Sequence, residues 1–444
     1  MDKQAVSPLK CKELSASRYG SLLFALFLFC LGVLEWQISS VSHPRDHIYS
    51  DMHGYLERGW KIASGMPFTD FDAFYPSGNS IFYAFFFLLF GFASGVKIIS
   101  IVQLVLIALA NLLLALSTLI LFSSKRLSLF VMFAASIYWP FISQASFFMA
   151  EPLFMFCIML AFYLYCCGLK QNTWLSRGNI SYRMHGFMLL LGLLLGYASL
   201  VKGQGLAVLL SLIVFTIFWR KTPWAILSLC AGALLPILMQ SALHSANLGK
   251  PSFFLSANDA FNSYLGQSRH EAIGCLDTTR GMFFVFHNNN VALGYRFLEP
   301  VLEKTSILNR DYFRSKTVEL WRKKPGAQLV KSLHNIVELF EVNPRWPQRN
   351  VDLIKEYDVK YQSYSIYLLT LPALYALAGA IFFKRYRTQC ALCLLPIICL
   401  ALMISMTMGQ PRYIVPFLYF AFPIASAFYA DLAMLLLAAF RGQK

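Results

Sequence analysis

Charge is what this sequence has least of. Only 14% of its 444 residues are Asp, Glu, Lys or Arg, against roughly a quarter in soluble domains, and that scarcity excludes a water-soluble globular enzyme. Acid is rarer than base: 22 Asp and Glu face 38 Lys and Arg, a formal net charge of +16. In a soluble chain such an excess would point to a polyanion partner such as nucleic acid. Nucleotide-binding signatures are missing too, with no Walker loop and no GxGxxG turn, and zinc-type spacings and internal repeats are absent.

What is abundant is apolar length. Hydrophobic residues make up 57% of the chain, 40 of them Phe. A bilayer core takes about 20 apolar residues per helix. Ten stretches free or nearly free of charge are read as spans: 19–38, 98–122, 127–148, 152–169, 186–201, 206–219, 224–243, 365–383, 390–408 and 414–440. The pair 186–201 and 206–219 is split by Lys202-Gly203-Gln204-Gly205, which is turn chemistry. The apolar stretch 81–93 is too short to span and is read as a helix lying in the interface. The expected fold is an all-α polytopic membrane protein of about ten transmembrane helices with both termini cytoplasmic.

Basic residues test that count, because Lys and Arg in short loops favour the cytoplasmic side. With ten spans, the inside segments hold 16 basic residues against two acids, Asp2 and Glu13. The short outside segments hold six: Arg45, Arg58, Lys61, Lys97, Lys202 and Arg412. Counting 81–93 as a span would invert every later loop and put the basic ones outside. The excess charge is therefore topology, and no nucleic-acid partner is expected. Of the ten Cys only Cys275 falls in an outside loop, which leaves no disulfide partner there. The single glycosylation sequon, Asn179-Ile180-Ser181, falls in an inside loop, which favours a bacterial inner membrane over the endoplasmic reticulum. The basic start followed by a long first span reads as a signal anchor. Three parts are expected: a transmembrane module over 1–243 whose first outside loop (37–96) carries chemistry, an extracytoplasmic segment over 244–364, and C-terminal transmembrane helices over 365–444.

Acids crowd into the first outside loop: Asp46, Asp51, Glu57, Asp70 and Asp72. The spacing predicts a short helix with Ser50 at its cap, Asp51, Tyr55, Arg58 and Ile62 on one face, and Gly65 with Pro67 at its end. Tyr75-Pro76-Ser77-Gly78 then makes a turn. Asp51 suits both helix capping and catalysis, and Asp70 and Asp72 suit both turn formation and substrate contact. A divalent metal held by Asp51, His53 and a further acid is compatible with the spacing, which is not diagnostic. Elsewhere Glu151 sits before Pro152 at a span boundary, Lys202 in the short-helix turn, and Arg412 in GQPRY before the last span. Each has a plain reading, as a helix-dipole partner for Glu151 or a snorkelling anchor for the two cations. All three face the same compartment as the first-loop acids. Carboxylates with isolated cations at headgroup level suit phosphate chemistry: cations hold a lipid phosphate and stabilise it as it leaves, and a carboxylate deprotonates the incoming group.

These residues resemble the GT-C superfamily of integral-membrane glycosyltransferases that use polyprenyl-phosphate-linked sugars. The similarity rests on Asp51 with Tyr55, on Gly65, Pro67 and Phe68, and on the turn Tyr75, Pro76 and Gly78 leading into FYAFFFLLFG. It continues in the Glu151 junction, in DYFRSKTVELWRKKPGAQLVKSLHNIVELF, which is similar to a charged helix, Lys-Pro break and juxtamembrane helix, and in Pro411, Arg412 and Tyr413. The resemblance implies an inverting transfer on the outer face. Asp51 would be the general base or acceptor-positioning carboxylate, with Glu151 the second catalytic acid. Tyr55, Arg58, Asp70, Asp72, Tyr75, Lys202, Arg412 and Tyr413 would contact substrate. The implied partners are a polyprenyl-phosphate sugar donor, membrane lipids, and a glycan, lipid or protein acceptor. The chain departs from the pattern at Ser77, where a second Pro is usual, and in lacking a paired acid at Asp51. No WWDYG-like segment is present, which disfavours an oligosaccharyltransferase.

Two other readings compete. A ligase that moves a whole lipid-linked glycan would use His and Arg of the outside segment, among them His270, Arg280, His287, Arg296 and His334. A transporter or flippase would place ionisable groups at the bilayer midplane, where Asp431 is the main candidate.

Overall fold

The computed structural model describes residues 14–41, 43–48, 51–67, 70–170, 182–220, 222–249, 251–256, 258–268, 270–275, 284–288, 301–303, 309–340, 387–407 and 409–442. The expected span at 365–383 lies outside them, as do Ser50, the sequon at Asn179, Arg280 and Arg296.

Long helices dominate. They are α1 (Ala16–Trp36), α2 (Asp51–Ser64), α3 (Gly78–Phe122), α4 (Lys125–Ser136), α5 (Trp139–Ile142), α6 (Glu151–Lys170), α7 (Tyr182–Val201), α8 (Gly205–Phe215) and α9 (Pro223–Leu248). Then come α10 (Asn258–Gln267), α11 (Arg310–Lys323), α12 (Pro325–Phe340), α13 (Arg387–Ser405) and α14 (Leu418–Gly442). Among the described residues seven helices are long and apolar enough to cross a membrane, eight if the bent α4–α5 pair counts as one span, against the ten expected; α8 is shorter. Nine of the ten expected segments lie on these helices.

The segment 244–364 departs from the all-α expectation. Three short strands, β1 (His270–Cys275), β2 (Phe284–Asn288) and β3 (Val301–Glu303), form an antiparallel sheet in that order, with a register shift between Ala272 and Cys275. Apolar length is the signal for a span, and runs of three to six residues fall beneath it.

The break at Gly91 settles how α3 runs. Gly91 has φ +70°, a left-handed conformation that costs glycine little. Gln103 Nε2 donates to the Tyr83 hydroxyl at 3.0 Å, although 20 residues of straight helix would cover about 30 Å. The stretch before Gly91 therefore folds back beside the start of the span, as the interfacial reading requires. Its outer edge exposes Phe85, Leu88, Leu89 and Phe90.

Contacts sort the helix ends into two sets. At one end Lys125 Nζ donates to Leu14 O (2.7 Å), Tyr19 bonds Ser128 (2.9 Å) and Gln389 donates to Leu121 O (3.2 Å). At the other, Tyr197 donates to Gly78 O (3.1 Å), Lys202 meets Glu151, and Arg412 meets Asp51. The alternation derived from basic residues has the same two sets.

Small residues let α7 and α9 touch. A Cβ on Gly192 would strike Leu229 O, one on Gly232 would strike Leu189 O, and one on Gly196 would lie 2.5 Å from Ala233 O. Within the bundle Tyr419 stacks on Phe141 with centroids 3.9 Å apart and donates to Asn111 Oδ1 at 2.8 Å, giving a buried amide a partner.

Candidate active site

Four chain segments that are far apart in sequence meet at the second end of the bundle. The first is α2, which starts at Asp51 and buries Met52, Tyr55, Leu56, Arg58 and Gly59 against α3. Gly65, at φ +66°, ends it with Pro67 following, as expected. The chain then turns through a 3₁₀ segment, Asp70–Ala73, and returns along α2. Gly54 makes that return close: a Cβ there would lie 2.9 Å from the Tyr75 ring.

Tyr75 completes the first loop. Its hydroxyl donates to Asp51 Oδ1 at 2.8 Å and its ring lies 5.0 Å from Tyr55. Burial, then the Asp51 carboxylate, push the Tyr75 hydroxyl well above its ordinary value, so it remains a donor. Arg58 is buried and donates to Tyr75 O at 2.5 Å. Burial lowers the Arg58 guanidinium to about 10 against the opposing pull of Asp72 and Tyr55. Asp72 is buried and pairs with Lys61 at 3.4 Å. Arg58 and Asp72 thus brace the turn. Asp70 opens the same turn, and its side chain lies outside the described residues.

Arg412 arrives from the 3₁₀ turn Pro411–Tyr413. Its Nη1 and Nη2 both reach Asp51 Oδ2 at 3.4 Å, and Nε donates to Gln410 Oε1 at 2.7 Å. Tyr413 lies between the two cations, its ring centroid 5.5 Å from the Arg412 guanidinium and 5.3 Å from Lys202 Nζ. Burial pulls Arg412 down, but Tyr413, Asp51 and Glu151 outweigh it and hold the group charged.

Glu151 and Lys202 form a second pair, Nζ to Oε1 at 2.5 Å. Glu151 heads α6 and Lys202 sits in the turn between α7 and α8. The two side chains are 3% and 13% exposed. Burial lowers the Lys202 ammonium from its ordinary value while Glu151 opposes the change. Glu151 Oε2 has no hydrogen-bond partner among the described residues.

The structure therefore brings together Asp51, Tyr55, Tyr75, Glu151, Lys202, Arg412 and Tyr413. His53 stands apart, exposed and paired with Glu57 at 3.4 Å. Among the described residues no three of His, Cys, Asp and Glu gather as a metal set. Asp51 faces a guanidinium and a phenol, a donor set that fits a divalent cation poorly. The sequence reading missed Gln410, whose signal was a polar neighbour two residues before the isolated arginine. It also missed Gln240 and His244, which stand four apart toward the polar C-terminal end of α9.

Two solved structures similar to this chain are both of oligosaccharyltransferases. Archaeal oligosaccharyltransferase AglB from Archaeoglobus fulgidus, in complex with an inhibitory peptide and a dolichol-phosphate, has a TM-score of 0.48 at 14% identity, covering 96% of this chain and 52% of that one. The oligosaccharyltransferase of the same organism tethered to an acceptor peptide scores 0.46 at 13% identity, covering 96% and 51%. The chain spans about half the length of these structures. No family model matches the sequence, and no curated protein does.

The arrangement is charge-balanced, with two carboxylates and two cations. Asp51 and Arg412 are 26% and 33% exposed, open enough to be reached. A phosphate arriving there would compete with Asp51 for Arg412 and free the carboxylate.

Proposed function

We propose that the chain is a GT-C-type glycosyltransferase that moves a sugar from a polyprenyl-phosphate donor to a glycan, lipid or protein acceptor. The observation that carries this reading is the Asp51–Arg412 contact. It sets an accessible base beside an accessible cation at the boundary of a membrane bundle, across 361 residues of sequence.

The donor phosphate takes Arg412, with Lys202 adding positive charge from beneath Tyr413. Asp51 accepts the proton of the acceptor's hydroxyl or amine, and that atom attacks the anomeric carbon. The bond from that carbon to the phosphate oxygen breaks, and its electron pair leaves on the prenyl phosphate. One displacement inverts the anomeric centre. A positioned base supplies roughly 10²- to 10⁴-fold of rate, and fixed cations stabilise the leaving charge. Glu151, buried on Lys202, holds that amine in place. The placement of basic loops and of the single sequon favours a bacterial inner membrane with this site facing the periplasm.

A test uses the purified chain in detergent with a panel of synthetic farnesyl-phosphate hexoses and pentoses as donors and a solubilised extract of envelope lipids and glycans as acceptor. Release of farnesyl phosphate is expected from at least one sugar, and Asp51→Asn abolishes it with the protein still folded. Wild-type turnover by Asp51→Asn would refute the assignment. In proteoliposomes, flux of an intact lipid-linked sugar with no product would favour the transporter.

A further inference from the structure

Ser77, the residue by which the first-loop turn departs from its family pattern, is tied to a buried polar pair in α9. Its hydroxyl donates to Gln240 Oε1, and Gln240 Nε2 donates in turn to His244 Nε2 at 2.5 Å. Gln240 and His244 are each 2% exposed. Two uncharged polar side chains buried near the end of a spanning helix need a reason, because each is costly where apolar residues would serve. Packing against lipid supplies none.

The turn they reach is the one that aims Tyr75. It is held at three points by three helices: Tyr75 O by Arg58 of α2, the Ser77 hydroxyl by Gln240 of α9, and Gly78 O by Tyr197 of α7. The result is a Tyr75 hydroxyl 2.8 Å from Asp51. Beyond His244 the chain of contacts continues outward. The imidazole packs on Phe254 with centroids 4.7 Å apart, and Arg310 lies over the same Phe254 ring at 4.2 Å and pairs with Asp259 at 2.6 Å. The outside helices α10 and α11 are thereby connected through one buried histidine to the turn that carries Tyr75.

We propose that Gln240 and His244 are positioning residues for the transfer: they fix the Ser77 turn and so the Tyr75 hydroxyl that orients the Asp51 carboxylate. His244 serves as the acceptor that sets the Gln240 amide, leaving Oε1 for Ser77. The inference rests on Asp51 being the reacting carboxylate.

The test measures kcat and KM of purified Gln240→Leu, Ser77→Ala and His244→Phe, using the farnesyl-phosphate sugar that the wild type turns over. Thermal unfolding in detergent reports folding. Gln240→Leu is expected to lose about 10- to 100-fold in kcat with KM within about twofold, because orientation is lost while donor contacts remain. In a Tyr75→Phe background the same change is expected to add little, since both act through one hydroxyl. His244→Gln offers an amide oxygen where the imidazole nitrogen stood and is expected to recover most of the rate lost in His244→Phe. Full additivity with Tyr75→Phe, a wild-type kcat in Gln240→Leu, or a loss confined to unfolded protein would each overturn the proposal. If Asp51→Asn is inactive and Gln240→Leu normal, this inference alone fails; if Asp51→Asn turns over normally, the proposed function fails with it.

Discussion

The two ion pairs at the end of the bundle are built oppositely. Glu151–Lys202 is short, 2.5 Å, and almost fully buried. Asp51–Arg412 is long, 3.4 Å, and about a third open to solvent. A buried pair costs much desolvation and collapses badly when one partner is removed. An open pair at that distance contributes little to stability. The difference suits two jobs within one cluster: the closed pair ties the start of α6 to the end of α7, and the open pair leaves Asp51 and Arg412 within reach of a ligand.

Substitutions can break or sharpen that contrast. The largest effect expected is in Asp51→Asn, a loss of about 10³-fold or more in turnover with little change in thermal unfolding. Glu151→Gln should do the reverse first, costing about 3–5 kcal/mol of stability by leaving the Lys202 charge uncompensated. That is read as a lower unfolding temperature and a lower folded yield, and Glu151→Gln with Lys202→Met should restore much of the fold. Arg412→Lys keeps the charge but loses the planar fork, and a rise of about tenfold in KM for the prenyl-phosphate donor is expected.

Gly54→Ala tests the geometry around Tyr75. Its Cβ would lie 2.9 Å from the ring, and a displaced ring is expected to cost about three- to tenfold in kcat. The smallest effect is in pH. Burial lowers the Lys202 ammonium, so its proton is lost on the alkaline side below the ordinary lysine range, and the pair with Glu151 weakens there as pH rises. Lys202→Arg keeps the charge and should extend the alkaline plateau of the rate profile to higher pH.

Much of this architecture is legible in the sequence. Apolar length located nine segments that lie on helices, seven of which, or eight with the bent α4–α5 pair, are long enough to cross a membrane. The basic residues set the stretch before Gly91 apart from the span that follows, where the helix breaks. Asp51, Glu151, Lys202 and Arg412 were singled out because charge is scarce and these residues sit at boundaries. Their partners were not legible. Glu151 finds Lys202 across 51 residues and Asp51 finds Arg412 across 361, and such pairings depend on how helices pack, which no local pattern encodes. Arg58 was legible as part of the Asp51 face, but its bond to the Tyr75 carbonyl of the turn was not. Strands β1 to β3 were missed because runs of three to six residues carry almost no periodic signal. Ser77 read as a departure from a family pattern, and only its distance in space from Gln240 gives it a role.

The central claim is that Asp51 does chemistry and Glu151 does support. The most direct measurement is turnover per folded molecule, from farnesyl-phosphate release and detergent-phase unfolding on the same samples, for Asp51→Asn beside Glu151→Gln with Lys202→Met. The account predicts a fully folded and inactive Asp51→Asn, and a double variant that folds with measurable turnover. An Asp51→Asn protein that releases farnesyl phosphate at the wild-type rate would contradict it.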